Sequence, residues 1–407
     1  MSPPAPAVDD SFPRLRKCPY LPPEEYGALR EADGPAVRRL YHGGPIWVIS
    51  DYAQARAVLH DTRFSSDITH PGYPIYAEVL ESFRAFPLLN TLDPPLHTAQ
   101  RRAVVSEFTL RKAEELRPAM RKKAEELLDA MTDGADTADL VAAFAEPFAG
   151  TITCWALGMD YADLQSWLVA SREVREKASG SATDAGDVGQ EIAHQIIALQ
   201  QYFQKFVDEK IEHPGDDPVS RVVEKYVRGG DLSKEELVKL CFVIFVAGQS
   251  PVKAMITIGL LRLLERPDEL AAVRERSDAL PAVVDELTRL VSPLDLMPRV
   301  AKEDVEIGGR LIRAGEGVVV AGAAANRDAA EYPDPDRLDL DRESRGNLAF
   351  GSGLHHCLGA NLTRVGLQVA YGTLLTRLPA LRLAESSAEI YEHPSWHPEI
   401  SRMPVAW

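Results

Sequence analysis

The chain has 407 residues, 45% of them apolar, more than one ordinary core absorbs, so either several domains or one large fold built around a ligand is expected. Its 61 acidic against 45 basic residues leave a net charge of -16, which argues against general nucleic-acid or anionic-membrane binding, because a phosphate backbone selects clustered positive charge. The four cysteines, Cys18, Cys154, Cys241 and Cys357, lie far apart without a CxxC pair, which argues against a zinc knuckle or a disulfide framework and fits a reducing cytoplasm.

Residues 1–21 are proline-rich and predict an irregular arm without an apolar leader, and no run of about 18 consecutive apolar residues follows, so a soluble protein is expected. Pro22 to Glu31 predicts a short helix. Ala36–Tyr41 and Ile46–Ser50 flank Gly43-Gly44 as a hairpin would, and Asp51 can cap a helix over Tyr52–Leu59. Between Phe64 and Asn90, prolines alternate with aromatic residues; such a stretch either lines a pocket or is a surface loop with anchoring rings.

The helical half begins near Pro94. His97 and Arg101 are four apart and share a helix face. Helical spacing continues to Gly229, with breaks near Asp133–Asp136, Gly158–Tyr161 and Gly180–Gly189, and Ser179–Asp187 reads as a crossover that could open over a pocket. Arg111, Lys112, Arg117, Arg121, Lys122 and Lys123 form a basic cluster, read first as a solvated helix face. Ser233 to Arg266 predicts the longest helix, with Ser233 and Glu236 matching a capping box and an apolar centre from Leu240 to Gly248 that belongs in the core. Helices over Asp268–Arg276 and Pro281–Leu290, β segments around Arg299–Val305, Arg310–Arg313 and Gly317–Gly322, and a polar meander from Asn326 to Asn347 complete the approach to the last motif.

That motif is Phe350-Gly351-Ser352-Gly353-Leu354-His355-His356-Cys357-Leu358-Gly359, leading into an apolar helix from Ala360 to Leu378. Its glycines permit positive φ or close approach of a flat ligand. A cysteine just ahead of a helix meets unpaired N–H groups and the positive dipole end, which favour a thiolate able to bind metal. By residue type alone, a buried structural cysteine is the commoner meaning.

The whole pattern resembles the haem-binding loop of the cytochrome P-450 family, and the order of motifs from about Pro22 to Trp407 agrees. The resemblance implies a mainly α fold with a smaller β-rich part, one catalytic domain over residues 22–407, wrapped around haem b with Cys357 as its axial thiolate and iron ligand. It implies that Phe350, Gly351, His355 and Gly359 shape the loop, and that His97, Arg101, Arg299 and His355 hold the propionates. It also implies that Glu286 and Arg289, by spacing alone an ordinary surface pair, join Arg337 in a buried network holding the meander; the usual Phe after that arginine is Leu338 here.

The catalytic stretch of the long helix is implied at Gly248, Gln249 and Ser250, and here the sequence departs from the family. Where an acid and a threonine often stand, Ala247-Gly248-Gln249 is followed by Ser250-Pro251. Proline removes a backbone donor and predicts a kink. Lys253 reads as a neighbouring face charge. This departure suggests oxidative C–C or C–N coupling or ring closure of an aromatic or cyclic-dipeptide metabolite, with hydroxylation or epoxidation assisted by water or substrate as the alternative. A haem sensor without catalysis and a metal-free helical binding protein are the remaining classes. Ferredoxin and ferredoxin reductase are the implied electron donors, a small natural product the substrate, and a cytoplasmic monomer the expected form. By chain position, Ile68, Tyr73, Phe86, Leu89, Val243, Ala247, Leu294, Met297 and Trp396, with the region Trp167–Val174, are the pocket candidates.

Overall fold

The computed structural model describes residues 11–31, 34–76, 78–163, 165, 185–293, 295–391 and 398–407. Helices dominate, and the β structure is small, as a mainly α fold requires. The helix Lys234–Leu264 runs through the middle, capped by Ser233 and Glu236 in a reciprocal box. It is long and apolar enough to span a membrane by composition, yet 67% of its most apolar window is buried against protein. Burial of most of its middle explains its lack of a polar face there.

Against it pack Glu146–Trp155, Ala185–Glu212, Leu280–Val291 and Ala360–Arg377. One core joins Met120, Phe148, Ile256, Leu287 and Tyr371, and a second gathers Phe203, Leu240, Phe242 and Phe245 around the first half of the long helix. Gly248 permits one close crossing: a Cβ there would stand 2.8 Å from Thr153 Cγ2.

The hairpin forms as predicted, Ala36–Arg39 pairing antiparallel with Pro45–Ile49, and Asp51 caps Tyr52–His60 through the Gln54 amide at 2.8 Å. The hairpin extends into a five-stranded sheet in the order Ala36–Arg39, Pro45–Ile49, Gly317–Ala321, Leu296–Ala301 and Phe64–Ser65. Its parallel strand pair, Trp47–Ile49 opposite Val318–Val320, joins segments far apart in the chain. A second sheet, Thr137–Asp139, Pro404–Ala406 and Arg382–Leu383, was not foreseen, because strands this short carry no periodicity and gain their partners only on folding.

Two expectations change. Residues 185–187, expected in a crossover, begin the helix Ala185–Glu212, while residues 166–184 lie outside the described residues. The arm is irregular but built in where described: Arg16 is buried, donates to the carbonyls of Val291 (2.9 Å) and Ser292 (3.0 Å), and pairs with Asp295 at 3.3 Å. The helix with Pro251 is continuous from Lys234 to Leu264, so proline deletes a hydrogen bond without ending the helix.

Candidate active site

Cys357 sits between the short turn Gly353–His355 and the helix Ala360–Arg377. Its amide donates to the Phe350 carbonyl at 2.8 Å, closing the loop on itself. Gly351 (φ 66°) and Gly353 (φ 68°) occupy the left-handed region, and a Cβ on Gly353 would come within 2.4 Å of the Leu59 carbonyl oxygen. Loop position is set further by Asn326, whose Oδ1 accepts the Leu348 amide, and by Asn347, whose side chain caps Ala349. The Phe350 ring lies under the Arg364 guanidinium at 4.3 Å, and Arg364 is anchored by Asp285 at 2.6 Å.

The Cys357 side chain is accessible although protein surrounds it, so it opens onto an internal hollow rather than the outer surface. Burial pushes its thiol upward, and the Gly359 and Ala360 amides, Arg101 and Arg364 pull it back only in part. Burial thus opposes the help that the helix start and the two arginines give to a thiolate, and a coordinated cation would tip that balance toward the thiolate.

His97, Arg101, Arg299 and His355 converge beside this hollow. The two imidazole centroids are 4.2 Å apart, both nitrogens of His97 and Nδ1 of His355 are buried without hydrogen-bond partners, and neither arginine has a carboxylate within ion-pair distance among the described residues. Arg101 donates to the His356 carbonyl at 2.7 Å and Arg299 to the Pro298 carbonyl at 2.7 Å. Such a cluster, with cations close and buried donors unused, fits a buried anion. A Cβ at Gly359 would meet nothing within 4 Å, leaving room beside the sulfur. These residues fit haem b: a flat metal-bearing ring against Cys357 and carboxylates on the cationic cluster.

Burial, with Arg299, His97 and Arg101, pushes His355 down to about 3, and burial with Arg101 lowers His97. Both folded-state values lie below the ordinary 6.5, so the unfolded chain takes up protons first as pH falls. Haem-free protein is therefore expected to lose stability as pH drops from about 6.5 toward 3, and His355→Leu to flatten that slope. Thermal midpoints of both forms near pH 7.5 and near pH 5 check it; parallel slopes contradict it.

The buried network is present with one member exchanged. Glu286 and Arg289 are fully buried and doubly bonded, at 2.7 and 2.8 Å, and Arg289 also donates to the carbonyls of Asn326 and Pro335. The third member is Arg342, 3.0 Å from Glu286, and not Arg337. The Arg337 side chain is 60% exposed and pairs with Asp334 and Asp339, so only its carbonyl approaches Arg289, at 3.4 Å. Both arginines lie in the meander, and only chain folding decides which points inward.

Of the pocket candidates, Ile68 and Tyr73 are buried in a small cluster with Ile75, Leu89 and Val243 belong to the core around the long helix, and Met297 packs in the sheet core near Gly351. Phe86 stacks edge-on against Phe242 at 5.7 Å. Ala247 is exposed at mid-helix, and so is its neighbour Val246, at 41%, both within the stretch Val243–Ala247 expected to line a pocket. Exposure in the middle of a core helix marks the wall of the hollow. Gln249 is buried and Ser250 half-buried. Leu294, Trp396 and the region Trp167–Val174 lie outside the described residues.

The basic cluster is mostly neutralised within its own helix: Arg111 pairs with Glu115, Arg117 with Glu114, and Lys122 and Lys123 with Glu126. Lys253 departs most from expectation. It is buried, and its Nζ is bonded to Glu399 Oε1.

The description "Cytochrome P450" belongs to the family model that matches residues 186–381. Pentalenic acid synthase of Streptomyces avermitilis is 39% identical over 98% of this chain and 97% of its own. The mycinamicin VIII C21 methyl hydroxylase of Micromonospora griseorubida superposes with a TM-score of 0.88 at 30% identity, covering 98% of this chain and all of that one. A putative thioether synthase of the griseoviridin tailoring step has a TM-score of 0.87 at 34% identity, with 98% and 100% covered.

Proposed function

This chain belongs to the cytochrome P-450 family, as a haem-thiolate oxidoreductase of the actinobacterial secondary-metabolite type, and from that premise we propose that it joins two positions of a small aromatic or cyclic-dipeptide metabolite by oxidative C–C or C–N coupling or ring closure. The observation that carries the reading is the pair Ser250-Pro251 in the long helix, which provides neither a carboxylate nor a threonine hydroxyl beside the exposed Ala247.

Haem supplies the oxidising equivalent drawn from dioxygen, sharpened by electron release from a thiolate ligand. The protein supplies placement and control. Cys357 would hold the iron, and His97, Arg101, Arg299 and His355 would hold the carboxylates. Pro251 has no N–H for the Ala247 carbonyl, which leaves an acceptor on the exposed turn able to hold a substrate N–H or a water. Val246 and Ala247 present an apolar wall for an aromatic ring. Coupling removes two hydrogens from the substrate and, with dioxygen, two electrons and two protons, releases two waters; hydroxylation consumes the same supply but leaves one oxygen atom in the product.

Electrons come in this reading from ferredoxin and its reductase, and the enzyme works in the cytoplasm as a monomer. The test is turnover under labelled oxygen gas of whichever aromatic cyclic dipeptide or related metabolite shifts the ferric Soret band. A product two hydrogens lighter with no label supports coupling; a product carrying one labelled atom overturns it in favour of hydroxylation, the reading that the hydroxylase relative favours.

A further inference from the structure

Between Lys239 and Arg262 the long helix carries one charged side chain, Lys253. Its side chain is 3% exposed, while that of its partner Glu399, from the C-terminal loop, is 25% exposed. A lysine in the middle of a core helix is costly to bury unless a carboxylate meets it. Lys253 follows Ser250 by three residues, so the two share a helix face with Cβ atoms roughly 5–6 Å apart. Ser250 itself is half-buried and next to the exposed turn at Ala247. Glu399 therefore meets Lys253 directly, and Ser250 lies one helical turn from Lys253 on the side of the exposed Ala247.

None of Ala247, Gly248, Gln249 and Pro251 carries a side chain that ionises near neutral pH. Reducing dioxygen to water nevertheless consumes four protons with four electrons, whereas stopping at hydrogen peroxide consumes two of each. We propose that Glu399 and Lys253 form the proton supply of this site, acting through the Ser250 hydroxyl. In each transfer the Lys253 ammonium gives a proton to Ser250 or a water held by it, Ser250 passes one inward, and Glu399 returns a proton from solvent to Lys253. The pair are relay residues, acting on the site through Ser250. The proposal rests on the haem-oxidase reading above but not on which bond the substrate forms.

The test uses the haem-loaded protein with reduced ferredoxin and dioxygen and without substrate, measuring the share of consumed oxygen released as hydrogen peroxide, the solvent isotope effect and the thermal midpoint. Glu399→Gln and the double variant Lys253→Met with Glu399→Gln are compared with the parent. The double variant leaves no stranded buried charge, so it is expected to melt near the parent. Both variants are expected to slow water formation on the order of 10²-fold, in keeping with loss of a general acid, and to release mainly peroxide. Glu399→Asp is expected to restore much of the parent behaviour. A double variant that regains the parent melting point, peroxide share and isotope effect overturns the proposal and leaves the pair a purely structural latch. An unchanged peroxide share in Glu399→Gln overturns it as well. The labelled-oxygen product decides the coupling reading separately, so either idea can fail alone.

Discussion

Arg342→Ala is expected to destabilise the protein by about 3–5 kcal/mol, because it strands part of the fully buried Glu286 carboxylate. Arg342 also donates to the carbonyls of Pro333 (2.8 Å) and Asp334 (3.1 Å), so its loss loosens the meander, which is then held to the helix Leu280–Val291 by the Arg289 bonds to Pro335 and Arg337 and by the Asp339 amide on Glu286. Arg337→Ala, only five residues away, is expected to change stability by no more than about 0.5 kcal/mol, since its partners are exposed. Denaturant unfolding of the two variants with the parent measures both. Equal losses, or a larger loss at Arg337, would return the third place in the network to Arg337.

Cys357→Ser is expected to abolish the thiolate-type spectrum of the reduced carbon monoxide complex and to bring substrate oxidation down to background, while the chain stays folded. The sulfur lies against an open hollow and takes little part in the hydrophobic core, so its removal costs little packing. Cys154→Ser and Cys241→Ser are the controls. Burial raises the Cys154 thiol to about 12 and pushes Cys241 higher still, and neither faces the cationic cluster, so both variants should keep the spectrum whatever they lose in stability. A thiolate spectrum surviving in Cys357→Ser would remove the central assignment of the site.

Much of the local structure was legible because local chemistry dictates it. The Ser233 and Glu236 box, the Asp51 cap and the Gly43-Gly44 hairpin each depend on side chains within a few residues of the backbone they bond. Phe350 to Gly359 could be read for the same reason: positive φ at Gly351 and Gly353 and the amides facing Cys357 are consequences of short-range chain geometry. Pairings across long stretches of sequence were not legible. The sheet joining Thr137–Asp139 to Pro404–Ala406 carries no period, and the Lys253 charge gave no sign of a partner 146 residues away.

The sequence by itself determined the helices, their caps, the cysteine loop and the exchange of the acid and threonine positions for Ser250-Pro251, since each is a matter of residue type at fixed spacing. Tertiary structure decided which of two meander arginines enters the core, that Lys253 is buried on Glu399, and that the cysteine pocket raises rather than lowers its thiol. These outcomes turn on burial, and burial depends on which distant segments close over a side chain; water screens a charge left outside, while one enclosed must find a partner.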